Sequence, residues 1–233
     1  MFHDRPELPG IRVPASTWAL VPLKSSDRAK SRLAEVLDTH RRRELFFSLA
    51  EQVILALSRS NSVDFVAVVT ASREVAAFAR GLGATPILQA ADVGMSPAIE
   101  LAMQSLQPLQ PRRVLIVPGD LPLITAGAVD EICDAQLSSD HVVLVPDRRH
   151  EGTNAMLCSP PRMLAPRFGT DSFARHLSLA RASGVVATVM ESEELALDLD
   201  SVDDLTYLHS LGTERLTDIL APRHEPLRAP TIG

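Results

Sequence analysis

Three aspartates stand where a carboxylate can do chemistry. Asp120 follows the apolar run RRVLIV (residues 112–117), in a PGDLPL turn restricted by Pro118, Gly119 and Pro122. A carboxylate there can ligate a hard cation such as Mg2+ or cap the helix that follows, although the intervening Leu-Pro-Leu-Ile disfavours a simple cap. Asp198 and Asp200 lie two residues apart in the strand-like run LALDLD, so both point to one face while Leu197 and Leu199 take the other. Like charges side by side repel unless a cation lies between them. Asp200 could instead cap a helix starting near Val202, but that role leaves Asp198 unexplained. The three carboxylates together suffice for one or two Mg2+ ions, with substrate phosphates completing the coordination.

Two further segments could bind anions. After the apolar run TWALVPL comes KSSDRAKSRLA, a basic loop with Lys24, Arg28, Lys30 and Arg32, readable as a clamp for nucleotide phosphates or as a solvated helix start. The chain has neither GxxxxGK[ST] nor a GxGxxG after a strand, so neither familiar phosphate cradle is expected. Further on, Gly152 and Thr153 precede a strand, and Gly169, Thr170, Asp171 and Ser172 precede a helix. Small residues and hydroxyls at a helix N-terminus can hold an anion, or simply cap the helix. His150 and His176 flank this region and read as surface or hydrogen-bonding residues rather than catalytic ones. No Ser-His-Asp or Cys-His set is evident, and a phosphate nucleophile, already anionic at neutral pH, needs none.

Positioning these residues requires an ordered frame. The 233 residues are 45% hydrophobic, which suits one domain with a sizeable core. With 23 basic against 29 acidic residues and a net charge of −6, the footprint of a nucleic-acid binder is absent. Strand-like runs start at Thr17, Asp64, Thr85, Arg112 and His141. Helix patterns span about 44–57, 72–84, 97–106, 126–136 and 172–182, with a last one from Val202. The alternation predicts a Rossmann-like α/β domain with a mostly parallel sheet, whose ligands sit beyond the carboxyl ends of the strands. The expected organisation is a flexible leader (residues 1–16), the domain (17–220) and a flexible tail (221–233). Cys133 and Cys158 read as reduced, small apolar residues of a cytoplasmic protein, and no run is long enough to span a membrane.

VPLK with AKSRLA, PGDLP, GTNAM with FGTDSF, and DLDSVDDL resemble, in order, the phospholactate and phosphoenolpyruvate guanylyltransferases of deazaflavin coenzyme F(420) biosynthesis, over about residues 18–208. The resemblance implies a single three-layer domain of the glycosyltransferase-A nucleotidyltransferase type. It also implies transfer of GMP from GTP to a phosphorylated three-carbon acid, with release of pyrophosphate and a downstream transferase receiving the product. By that resemblance Mg2+ falls on Asp120, Asp198 and Asp200, the acid on Thr153, Gly169 and Ser172, and the nucleotide phosphates on Lys24, Lys30 and Arg32. Where many relatives carry a Leu-Asn pair this chain reads Gly94-Met95-Ser96-Pro97, a departure that leans the expected acid toward 3-phospho-D-glycerate, ahead of phosphoenolpyruvate and 2-phospho-L-lactate. The competing readings are another nucleotidyltransferase of this architecture, such as a molybdenum-cofactor guanylyltransferase, and a non-catalytic nucleotide-binding regulator. The first is disfavoured because KSSDRAKSR stands where a Gly-rich loop is usual. The second is disfavoured because all three aspartates are present.

Overall fold

The computed structural model describes residues 16–26, 30–135 and 140–212. Arg28, all of the expected leader but Ser16, and the tail lie outside them. The strands are β1 (Thr17–Pro22), β2 (Phe65–Thr70), β3 (Thr85–Leu88), β4 (Arg113–Ile116), β5 (His141–Pro146), β6 (Thr153–Ser159) and β7 (Ala187–Val189). They form one sheet in the order β3-β2-β1-β4-β6-β5-β7. All pairings are parallel except those of β6, which runs antiparallel to both β4 and β5.

The helices are α1 (Thr39–Arg59), α2 (Arg73–Gly81), α3 (Met95–Leu106), α4 (Ala126–Asp134), α5 (Ser172–Ala182) and α6 (Val202–Ser210). Strand alternation divides the core. Ala19 and Val21 of β1 pack with α1, α2 and α4 on one face, while Trp18 and Leu20 pack with α3 and α5 on the other. A third, smaller cluster joins Leu33, Leu45, Leu49, Leu123, Leu197, Leu199 and Leu208, and lies under the acidic segment. No helix among the described residues is long and apolar enough to cross a membrane.

The element order matches the expected α/β alternation, with two helix starts and one segment assignment that differ by more than a residue in ways the sequence explains. Helix α1 begins at Thr39, five residues before the periodic pattern, because Asp38 caps it by accepting the Arg41 N–H at 2.8 Å; its polar first turn carries no apolar signal. Helix α3 begins at Met95, with Pro97 tolerated in the first turn, where no N–H is required. The LALDLD segment is not a strand of the sheet. Its burial alternates as expected, but its backbone is held by single bonds, Leu199 N–H to the Asp120 carbonyl and Arg148 N–H to the Ala196 carbonyl.

Helix α5 docks on the sheet through His176, which is fully buried. Burial, followed by the charges of Arg167 and Arg175, pushes this imidazole down to about 4 from its ordinary 6.5. The unfolded chain therefore takes up the proton first as pH falls. The contribution of the neutral ring is fully present above about pH 7 and is lost through the window from about 6.5 to about 4. By pH 5 the expected loss is about 2 kcal/mol. Urea unfolding at pH 8 and pH 5 checks this: the native chain should lose more stability than His176→Gln by roughly that amount, and equal losses would refute it.

Candidate functional site

Strand order reverses between β1 and β4, which pair with each other while their chain neighbours lie on opposite sides. At such a switch point the loops beyond the strand ends diverge and leave a crevice. The basic loop after β1 and the PGD turn after β4 both open there. Gly119 is needed for the close approach of these ends, since a Cβ on it would come within 2.2 Å of Leu23 Cδ2.

Lys30 is the residue whose placement differs most from the phosphate clamp expected of its loop. It adopts a left-handed backbone (φ 53°) and opens a 3-10 turn, Ser31–Leu33, whose Leu33 is locked in the third core cluster. Its side chain is only 6% exposed, and its ammonium lies 2.8 Å from Asp120 Oδ2 and 2.8 Å from Asp200 Oδ1. Burial alone would lower its pKa, but the charges and hydrogen bonds of Asp120 and Asp200 outweigh that and raise it above the ordinary lysine value. Lys30 is therefore the counter-ion of two of the three aspartates. Lys24 is exposed and lines a neighbouring cleft, and Arg32 is exposed on the turn.

Asp198 lies beside this ion pair. Its carboxyl is pushed up to about 7, first by burial, then by the charges of Asp120 and Asp200, with a smaller contribution from Asp147. Leu197 and Leu199 are essentially fully buried and anchor the segment; each contributes on the order of 2 kcal/mol. Neither Asp120 nor Asp200 is a helix cap. Thr125 caps α4, and Ser201 caps α6 in a reciprocal capping box with Asp204. Asp204 also accepts a 2.7 Å bond from Arg148, which ties the end of the acidic segment to the loop after β5.

The three carboxylates form an all-oxygen set suited to a hard divalent cation. Among the described residues, no three acidic, histidine or cysteine side chains are gathered as a ready-made ion cage, since Lys30 stands between Asp120 and Asp200. Two features nevertheless fit a cation. Asp120 Oδ1 is buried without a hydrogen-bond partner, and the Asp198 carboxyl is pushed up to about 7 by burial and then by the charges of Asp120 and Asp200. An ion engaging Asp120 Oδ1 and Asp198 would remove both conflicts.

The expected anion site at α5 is built differently from a bare helix terminus. The Ser172 N–H is bonded to the Gly169 carbonyl and the Phe173 N–H to the Glu151 carbonyl, so two amides of the first turn are already engaged. Asp171 occupies the cap position in a left-handed conformation without a side-chain cap bond. What the site offers is a pair of buried hydroxyls, Ser172 Oγ and Thr153 Oγ1, 3.4 Å apart. Gly169 has φ +111°, a conformation that favours glycine at the bend beside them. Because β6 runs antiparallel to β4, its first residue, Thr153, lies at the same sheet edge as the PGD turn that follows β4. The Ser96 hydroxyl accepts the Phe168 N–H at 2.9 Å, so the altered Gly-Met-Ser-Pro segment supports this bend. His150 is a surface residue near Glu191, and His176 is a buried hydrogen-bonding one.

Three functional features were not singled out from the sequence. Asp147 organises the loop before Thr153 by accepting the Arg149, Glu151 and Gly152 amides, and a Cβ on Gly152 would press within 2.8 Å of its carboxylate. It follows the β5 run just as Asp120 follows β4, and the same strand-end rule would have found it. Asn154 is buried and donates to the Leu195 carbonyl at 2.8 Å. A cleft of about 240 Å3 opens beyond β1, β2 and β3, with Leu23, Val69, Met95 and Ala98 as apolar lining and Gln89 and Asp92 as polar groups.

Comparisons with known proteins identify the family. Residues 17–218 match the family described as "Guanylyl transferase CofC like". A phosphoenolpyruvate guanylyltransferase of Conexibacter woesei is 37% identical over 201 residues, covering 86% of this chain and 90% of that protein. A 2-phospho-L-lactate guanylyltransferase of Methanothermobacter thermautotrophicus is 34% identical over 199 residues, covering 84% and 86%. Among solved structures, a nucleotidyl transferase from the same archaeon superposes with a TM-score of 0.60 at 16% identity, covering 84% of this chain and 97% of that one. A CMP:2-keto-3-deoxy-manno-octonic acid synthetase in complex with CTP gives 0.57 at 12%, covering 84% and 98%. These two show the shared fold alone. With the family matched from β1 to beyond α6, and the two quoted relatives 34–37% identical over most of their length, the chain belongs to the CofC-like guanylyltransferases.

Proposed function

We propose that this enzyme transfers GMP from GTP to phosphoenolpyruvate, releasing pyrophosphate, as a cytoplasmic step toward a deazaflavin coenzyme, with 2-phospho-L-lactate as the second choice of acid. The observation that carries the reading is the linear order of three sites along one sheet edge. The apolar cleft lies beyond β1–β3, the three aspartates with Lys30 lie at the β1/β4 switch, and the Thr153–Ser172 hydroxyls lie at the start of β6. A cleft of about 240 Å3 is smaller than the 300–1,000 Å3 usual for a whole drug-sized ligand, and so suits the base end of a nucleotide. Its triphosphate would then pass Lys24 toward the aspartates.

Asp120, Asp198 and Asp200 would hold Mg2+, which when bound neutralises phosphate charge. Lys30 balances two of these carboxylates in the free chain. Thr153 donates its hydroxyl hydrogen to the acid, with Ser172 beside it and donating to Thr153 in the free chain, so that the acid's phosphate oxygen faces the α-phosphorus. Bond formation there expels pyrophosphate and requires no general base. The product is a mixed anhydride, which a downstream transferase would consume. The lean toward 3-phospho-D-glycerate is set aside, because the relatives quoted above are named for the other two acids.

Guanine presents an N1–H and a 2-amino group where adenine offers no such donor pair. Gln89 keeps its amide on the Ala98 carbonyl at 2.7 Å, leaving its oxygen to accept, and the Asp92 carboxylate adds a second acceptor in the cleft lining.

The deciding assay offers GTP with each of the three acids and identifies the product by mass. A guanylyl-diphospho acid with phosphoenolpyruvate is expected, and comparable turnover of ATP alone would sink the reading. Asp120→Asn should lower kcat by at least about a hundredfold without unfolding the chain, because a transition-state charge contact worth on the order of 3 kcal/mol is lost; full activity would remove Asp120 from the site. Asp92→Asn should cut the preference for GTP over ATP about tenfold, the worth of one base-edge contact, read from the ratio of the two kcat/KM values.

A further inference from the structure

His176 carries a polarity that reaches the acid site. Its ring is fully buried, with Nε2 2.8 Å from the Arg167 backbone N and Nδ1 2.9 Å from Thr153 Oγ1. A backbone N–H can only donate, so Nε2 is the bare nitrogen. A neutral ring then carries its hydrogen on Nδ1 and donates it to Thr153 Oγ1. Ser172 Oγ approaches the same oxygen from 3.4 Å. The Thr153 hydroxyl therefore acts as an acceptor toward α5, and its own hydrogen is left to point elsewhere. The opposite tautomer would reverse this. Thr153 would donate into the ring and turn lone pairs toward any incoming anion.

We propose that His176 is a positioning residue for the acid substrate, fixing the tautomer that compels Thr153 to donate its hydroxyl hydrogen to that substrate's acceptor-only oxygens. The proposal rests on the reading of Thr153 and Ser172 as acid contacts. It assigns the buried imidazole a task beyond holding α5 to the sheet. A histidine suits the task because its two nitrogens couple a fixed donor, the Arg167 amide, to the required polarity at Thr153 about one ring away. The low pKa keeps the ring neutral at physiological pH, so the relay does not switch off.

Two substitutions separate positioning from mere support. In His176→Asn the amide nitrogen falls near Nδ1 and can still donate to Thr153, while the Arg167 N–H loses its acceptor. In His176→Gln the amide oxygen reaches the Nε2 position and keeps the Arg167 bond, while the donor to Thr153 is lost. The KM for phosphoenolpyruvate should rise on the order of tenfold or more in His176→Gln, the worth of a hydrogen bond to a charged group, with the KM for GTP little changed. His176→Asn should recover most of that loss. A purely structural histidine gives the reverse ranking or equal losses, and an unchanged acid KM in His176→Gln overturns the proposal as well.

The tautomer can also be read in the unsubstituted protein, by 15N NMR of histidine-labelled chain at neutral pH. A proton on Nδ1 of His176 supports the proposal and a proton on Nε2 overturns it, even if neither variant folds. If the unsubstituted enzyme turns over none of the acids with GTP, the underlying function fails instead, and the NMR result distinguishes the two failures.

Discussion

The crowding of three carboxylates at the β1/β4 switch is the constraint on which the rest of the site depends. Bringing Asp120, Asp198 and Asp200 together in a partly desolvated crevice is unfavourable, and each neighbouring element offsets part of the cost. The Lys30 ammonium meets two of them at 2.8 Å, and the third is driven toward its neutral form. The backbone is held rigidly enough to prevent the carboxylates from splaying apart. Leu197 and Leu199 are pinned in the third core cluster, Leu199 N–H is bonded to the Asp120 carbonyl, and the Ser201–Asp204 box fixes the exit into α6. A fold that maintains such a cluster holds a site poised for positive charge.

Sheet topology turns that cluster into the middle of a longer groove. The parallel half, β1 to β3, ends in loops that spread into an apolar cleft, whereas the reversed strand β6 begins where its neighbours end. The antiparallel insertion thus delivers Thr153, the first residue of β6, to the same edge as Asp120, which follows the end of β4. Were β6 parallel, its first residue would lie at the opposite edge. One reversed strand supplies the hydroxyl side of the site.

Much of this was legible in the sequence, for physical reasons that also explain the gaps. Buried strands read as unbroken apolar runs, so β1, β2 and β4 and the positions just beyond them could be marked directly. Asp120 was found that way, and Asp198 by its two-residue spacing from Asp200. The direction of β6 was not stated, because TNAMLCS has no polarity in its pattern. The six residues between Pro146 and Thr153 were the available signal, since a parallel crossover needs a dozen or more. The partner of Lys30 was not legible at all. Its contacts lie 90 and 170 residues away, and a lysine beside other basic residues is equally compatible with phosphate or carboxylate. The amides of α5 read as open until the structure showed the Gly169 and Glu151 carbonyls on them.

On the proposed reading the acid rests on hydroxyls, a choice that its neighbours explain. A lysine or arginine at the start of β6 would stand at the same sheet edge as Asp120 and add a second cation to the one Lys30 already supplies. A neutral hydroxyl donor adds no charge to the crevice, so it can hold an anionic acid without disturbing the acidic cluster. Its weakness is that a hydroxyl rotates and can accept as readily as donate. Arg167, His176 and Thr153 form a chain in which a backbone amide, a donor by its chemistry, settles that choice two bonds away. A phosphate nucleophile needs no base, so neither His150 nor His176 is required for catalysis. On the proposed reading, His176 sits one step behind the acid, where its tautomer orients a hydroxyl that charge could not replace.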